Sequence, residues 1–255
     1  MAEPHGNGGL ADFFKYEKLR DFIEHMKNTS EVTSLDGWDG NNAIVLRHDV
    51  DFNMRSARRL FLIERECNVT SSFFIMVNCP LYNALSSENQ SIIREISSAG
   101  FEVGVHFDPS QYPGHDNQAL AEKLDYEAGL LESITGERPT SVSLHNPSVG
   151  GEYPLFDGYR NAYDDRIFSD DLYLSDTHMC FHGKDPYEFV KGARENTIQV
   201  SLHPFHYTAN GDAYHVLFSK LLLDYADVMD GYLSSNPLYC SLRDGKKLAD
   251  KLYLR

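Results

Sequence analysis

Four times in 255 residues a valine is followed, after two residues, by a histidine: Val45 and His48, Val103 and His106, Val142 and His145, Val200 and His203. In three of these segments a proline follows within three residues, at Pro109, Pro147 and Pro204, and proline stops a strand by removing a ladder donor. Each histidine is therefore predicted to end a strand. Asp49 and Asp51 stand beside the first of them. Several imidazoles and two carboxylates at one rim suit a divalent metal, with Zn2+ or another late first-row ion as the natural occupant of such a donor set. An open metal site polarises a carbonyl and lowers the pKa of water, leaving a carboxylate as base and an imidazole as acid. That is hydrolase chemistry, and ligand type alone leaves a redox role open.

Alternation along a strand decides which of these side chains can meet. Val103 and Val105 share one face, while Gly104, His106 and Asp108 share the other. The same parity pairs Ser143 with His145 and Ser201 with His203, so the small and polar residues are expected on the inner face. Asp49 and Asp51 also share a face. His48 has the opposite parity and reads as a packing histidine.

Behind this rim the pattern alternates helices near 10–28, 53–67, 87–99, 117–134, 213–234 and 245–254 with strands at 43–51, 71–77, 101–108, 140–146 and 197–203. Further strands are read at 166–170 and 172–175, and 150–165 reads as a long loop over one face. Alternating βα units give an α/β class with a parallel sheet or barrel, in which groups from several strand ends gather at one edge. One domain over residues 1–255 is expected. Lys and Arg number 23 against 38 Asp and Glu, a net charge of −15; with no polybasic run, a nucleic-acid partner is not expected. No apolar stretch approaches the ~18 residues of a membrane span. The opening residues resemble no secretory leader, and Cys67, Cys79, Cys180 and Cys240 are scattered, so a reducing, cytoplasmic setting is expected.

At these residues the chain resembles the polysaccharide deacetylases of the NodB-homology type. Arg47-His-Asp-Val-Asp51 looks like the acid pair of the first motif, and Ser71-Ser-Phe-Phe-Ile-Met76 like the family's second strand. Gly100-Phe-Glu-Val-Gly-Val-His106 is similar to its Gly-His-Glu-Ile-Gly-x-His segment, Arg138 through Pro147 to its third motif, and Ile198-Gln-Val-Ser-Leu-His-Pro204 to its closing Leu-x-Leu-His-Pro. The likeness spans about 43–207, in order. It implies a distorted (β/α)7 barrel and metal-dependent removal of an N-acetyl group from an amino sugar. It also implies Asp49 as base, Asp51 and His106 as metal ligands, and His203 as acid.

The chain departs from the pattern twice: the second ligand histidine of the family falls at Ser110, and an arginine that braces the base falls at His145. His145 as third ligand reconciles the two, and Asp108 is the alternative. Asp176 is the candidate for tuning His203, with Asp170 and Asp171 as neighbours. Tyr153, Phe156, Tyr159, Tyr163 and Tyr173 either stack on a sugar or pack locally. Arg55, Arg58 and Arg59 either meet a phosphate or form a solvated helix face. His5, His25, His115, His178, His182 and His215 receive no role. The expected substrate is an N-acetylated amino sugar in a glycan, lipid-linked or nucleotide-linked intermediate. A deformylase or other amide or ester hydrolase on the same barrel, and a silent carbohydrate-binding domain, are the alternatives.

Overall fold

A computed structural model of the chain describes residues 10–151, 153–243, 245–247 and 250. Its strands are β1 (Val32–Thr33), β2 (Ile44–Val50), β3 (Ser72–Ile75), β4 (Glu102–Phe107), β5 (Ser141–Leu144), β6 (Arg160–Asn161), β7 (Tyr173–Ser175) and β8 (Ile198–Leu202). The helices are α1 (Leu10–Phe13), α2 (Tyr16–Thr29), α3 (Met54–Cys67), α4 (Ser87–Ser98), α5 (Asn117–Thr135), α6 (Pro147–Gly150), α7 (Pro186–Phe189), α8 (Tyr214–Leu233) and α9 (Pro237–Leu242). Two compact units divide the chain, 1–211 and 212–255. In the second, α8 and α9 are tied by Asp230, which accepts from Tyr239 and Arg243.

In the first unit every strand pairing is parallel, in the order β6-β5-β4-β3-β2-β8-β7, with β1 added beside the start of β2. All seven residues of β2 are buried, as a parallel strand covered on both faces requires. The sheet cannot be flat. Arg47 on β2 donates to Ser143 on β5, three strands away, and to the Tyr173 hydroxyl on β7, two strands away on the other side. At about 4.8 Å per strand the first span would be about 14 Å in a plane, beyond any side chain. The strands therefore curl into a distorted (β/α)7 barrel, open between β6 and β7. Gln199 of β8 bonds toward that seam, donating Nε2 to the carbonyls of Ala162 and Ile167 at 2.8 and 3.3 Å.

The helices form where the sequence caps them. Asn53, Ser86 and Asp116 accept the backbone N–H groups of Ser56, Asn89 and Ala119, satisfying donors that a helix start leaves unpaired. Gly136 ends α5 at φ 82°, a left-handed turn that glycine adopts without strain. Inside the barrel Gly104 is required for another reason, since a Cβ there would lie 2.4 Å from the Phe74 ring. The ring fills the interior beneath the rim. Below it, Glu102 accepts from Ser72 and Ser141 and closes the N-terminal end of the barrel with polar contacts.

Several expectations need correction. The helix read over 10–28 is broken, because Thr208 takes the backbone groups of Phe14 and Tyr16 that would continue it. No strand forms at 166–170; Asp164 accepts the N–H of Arg166 and its carbonyl those of Ile167 and Phe168, which coils the segment into turns. Within the loop read at 150–165, Arg160 and Asn161 add a short edge strand to β5. The helix expected at 245–254 falls largely outside the described residues, as does His5. Among the described residues no helix is long and apolar enough to cross a membrane.

Candidate active site

Four strand ends deliver five side chains to one rim. Asp49 closes the inner-face run of β2, Asp51 follows it by two residues, His106 stands one residue before the end of β4, His145 follows β5 and His203 follows β8. One carboxylate oxygen of Asp51 lies 3.0 Å from His106 Nε2 and 3.2 Å from His145 Nδ1, and the two nitrogens are 3.2 Å apart. Three donors at 3.0–3.2 Å make a nearly equilateral triangle. Zn–N and Zn–O bonds of 2.0–2.1 Å at tetrahedral angles put ligand atoms about 3.3 Å apart, so the residues fit one face of a tetrahedral ion. The chemistry of the set, one carboxylate and two imidazoles, fits as well.

The remaining nitrogens of these two rings are held differently. His145 Nε2 lies 2.8 Å from the side-chain amide of Asn146, a residue at φ 47° whose left-handed turn folds its side chain back on the ring. His106 Nδ1 is buried, with Asp49 Oδ1 as a neighbour at 3.9 Å, outside hydrogen-bond reach. Burial pushes the Asp51 carboxyl up, but the hydrogen bonds from His106 and His145 outweigh it and hold it well below the usual carboxylate range. His145 is shifted down by burial and up, on balance, by Asp51.

His203 bridges this triangle and a second carboxylate. Its Nε2 is 3.8 Å from the other oxygen of Asp51, while its Nδ1 lies 2.6 Å from Asp176 Oδ1. Asp176, wholly buried, also accepts the backbone N–H of His203 at 3.0 Å and has His206 Nδ1 at 3.3 Å. Burial disfavours its charge, yet His206 and His203 reverse the balance and keep it ionised. Burial likewise opposes the imidazolium of His203, and Asp176 overcomes it, pushing the pKa up to about 10.

Asp49, Asp51, His106, His145, His203 and Asp176 thus come together. Asp108 does not join them: its carboxylate accepts the backbone and hydroxyl of Ser110 and the Gln111 amide, capping a short turn. Asp170 and Asp171 are exposed. His48 faces outward and meets Glu64 of α3. Phe156 and Tyr163 are packed into the core, and Arg55 and Arg58 pair with Glu88 and Glu95 on α4. The thiols of Cys67, Cys79, Cys180 and Cys240 are free. Two residues carry more than the sequence reading assigned them. Arg47 shares the parity of Asp49 and Asp51, a signal available from alternation alone, and one of its nitrogens lies 3.0 Å from both Asp49 oxygens. His206 joins Asp176 only because Pro204 starts a tight turn after β8, which no spacing rule announces.

No protein-family model and no curated protein matches the chain. Solved structures do. The chain is similar to the chitin deacetylase of the fungal pathogen Colletotrichum lindemuthianum, at 17% identity and TM-score 0.45 over 72% of this chain and 82% of that one. A putative polysaccharide deacetylase from Mycobacterium smegmatis aligns at 17% identity and TM-score 0.44, covering 74% and 86%. A CE4 family pseudoenzyme from Bacillus anthracis aligns at 16% identity and TM-score 0.43, covering 71% of this chain and 60% of that one; the chain spans about three fifths of the length of that structure. At these identities each likeness is one of fold.

Proposed function

We propose that the chain is a metal-dependent hydrolase that removes an N-acetyl group from an amino sugar carried on a glycan, lipid-linked or nucleotide-linked intermediate. The observation that carries this reading is the position of Asp51, one oxygen within the imidazole triangle and the other 3.8 Å from His203. Asp51, His106 and His145 would hold the ion, Zn2+ first among candidates. When bound, the ion supplies a Lewis acid for the amide carbonyl and a more acidic water.

The chain's own groups do the rest. Asp49, fixed by Arg47, accepts the proton of the attacking water. His203, held at Nδ1 by Asp176, presents Nε2 to the departing amine and donates its proton there. A separate base and acid serve the addition and the collapse of a tetrahedral intermediate. Metal analysis of the purified protein, combined with an acetate-release screen over N-acetylated nucleotide sugars, lipid-linked sugars and oligosaccharides, tests the reading. About one ion per chain with acetate release supports it; a metal-free protein, or formate release from N-formyl analogues alone, overturns the deacetylase assignment.

A further inference from the structure

Arg47 is fully buried in the middle of the barrel, though no substrate can reach it. Its Nη1 faces both oxygens of Asp49 at 3.0 Å and also meets the Ser143 hydroxyl, while Nη2 donates to Tyr173 at 3.2 Å. The guanidinium lies against the rings of Tyr163, Tyr173 and Phe74, 5.1, 5.7 and 5.9 Å from their centroids. Its Nε has no acceptor among the described residues. A buried cation with one unmet N–H is an expensive way to fill space, and a hydrophobe of similar volume would stabilise a core at least as well. Stability therefore does not account for the arginine.

Asp49 supplies the reason. It shares a face with Asp51 two residues on, and the His106 ring spans the gap, with Nε2 3.0 Å from Asp51 and Nδ1 3.9 Å from Asp49. An unrestrained carboxylate this close to a divalent ion would be drawn in as a further ligand, occupying the position that an open site keeps for water. Both Asp49 oxygens are instead turned to Arg47. Resting on the reading of the rim given above, we propose that Arg47 is a positioning residue that keeps Asp49 a base and off the metal. It thereby fixes the ligand set at Asp51, His106 and His145. Ser143, Tyr163 and Tyr173 hold the guanidinium from three other segments, so its aim does not depend on β2 alone.

The test compares wild type, Arg47→Met and Arg47→Lys, each with and without Asp49→Asn, by steady-state kinetics and by titrating the metal-depleted proteins with Co2+, whose visible absorption reports coordination number. Arg47→Met should lower kcat at least ~10²-fold with KM unchanged. It should bind Co2+ about tenfold more tightly, the scale on which groups behind the ligands tune a site, with the weaker absorption of an added ligand. Asp49→Asn in that background should return affinity and spectrum to wild type, and Arg47→Lys should fall between. A wild-type Co2+ affinity and spectrum in Arg47→Met overturns the proposal. If that variant fails to fold by circular dichroism, Tyr173→Phe and Ser143→Ala loosen the same guanidinium from outside; a few-fold loss of kcat with a shifted Co2+ spectrum supports the proposal, and wild-type behaviour in both overturns it. Wild-type protein that binds no Co2+ overturns the reading of the rim as well, which separates the two failures.

Discussion

Two clusters of one aspartate and two histidines lie side by side on this rim, and they are built for different work. Asp51 with His106 and His145 comes from three separate strand ends, and among the described residues its carboxylate accepts only from imidazole nitrogens, at 3.0 and 3.2 Å. In the cluster of Asp176 with His203 and His206 the carboxylate is wholly buried and already receives a backbone N–H at 3.0 Å besides the two rings. The first carboxylate keeps lone pairs for a cation; in the second every oxygen is spoken for, so an ion there would have to displace hydrogen bonds with nothing to replace them. Composition is the same in both. What divides them is who else donates to the carboxylate, and on the proposed reading this selects a metal ligand in one case and a holder of an imidazolium in the other.

The sharpest way to break this contrast is metal content. Asp51→Ala, His106→Ala and His145→Ala should each lose bound metal and all measurable turnover, because a three-ligand site missing one ligand is incomplete. Asp176→Asn and His206→Ala should keep metal near wild-type occupancy in the same elemental analysis. Metal lost from the Asp176 variant would erase the distinction between the clusters.

Next in size is catalysis without metal loss. His203→Ala and Asp49→Asn should retain the ion and drop turnover by ~10²–10⁴-fold, the range of general acid–base catalysis. Asp176→Asn should fall within that range at its lower end, since it leaves the imidazole in place and removes the charge that pushes its pKa up. Turnover near wild type in any of the three, measured on metal-replete protein, would remove that residue from the scheme.

The physical reason for what the sequence made legible is periodicity. Strand parity and proline stops place His106, His145 and His203 on inner faces without any knowledge of packing, and a parallel barrel brings strand ends together by construction. Arg47 carried the same parity signal, yet its role depends on Ser143 and Tyr173 reaching it across a curled sheet, and curvature has no signature in a linear pattern. His206 and the left-handed Asn146 depend on turn geometry, where one or two dihedral angles decide the outcome. The two-residue strands β1 and β6 are too short to show alternation at all, and the break between α1 and α2 comes from a partner nearly 200 residues away.

A third buried carboxylate sharpens the electrostatic half of the contrast. Glu127 on α5 is buried too, but its hydrogen-bond partners are neutral: the Tyr112 hydroxyl at 2.7 Å and the Asn78 amide at 2.9 Å. Burial therefore wins, and its pKa is pushed up to about 7. A carboxyl raised in the folded state stabilises the fold fully below its unfolded pKa near 4.5, and this contribution is lost as pH rises through about 7. Urea denaturation should show stability falling by on the order of 2 kcal/mol from pH 5 to pH 8 through this group. Glu127→Gln should flatten the slope; an unchanged slope would mean that Tyr112 and Asn78 compensate its charge as the histidines compensate Asp176.

The smallest expected effect separates two candidates for the third ligand. Asp108 follows His106 on the same strand face, where a rise of ~3.3 Å per residue sets their Cα atoms about 6.5–7 Å apart, so both reach one ion only if the chain bends. It does bend, at Pro109, but the bend serves another purpose: the Asp108 carboxylate turns to Ser110 and Gln111, with hydrogen bonds of 2.6 to 3.0 Å. Burial raises its pKa and those bonds lower it further, leaving it below the usual carboxylate range. That is the signature of a capping residue, and Asp108→Ala should cost about 1 kcal/mol in urea denaturation, the usual effect of removing a cap, with metal occupancy unchanged. His145→Ala should do the opposite, emptying the site with little change in the fold. If Asp108→Ala empties the site and His145→Ala does not, the third ligand moves to the residue after β4, and His145 becomes a neighbour of the ion rather than its ligand.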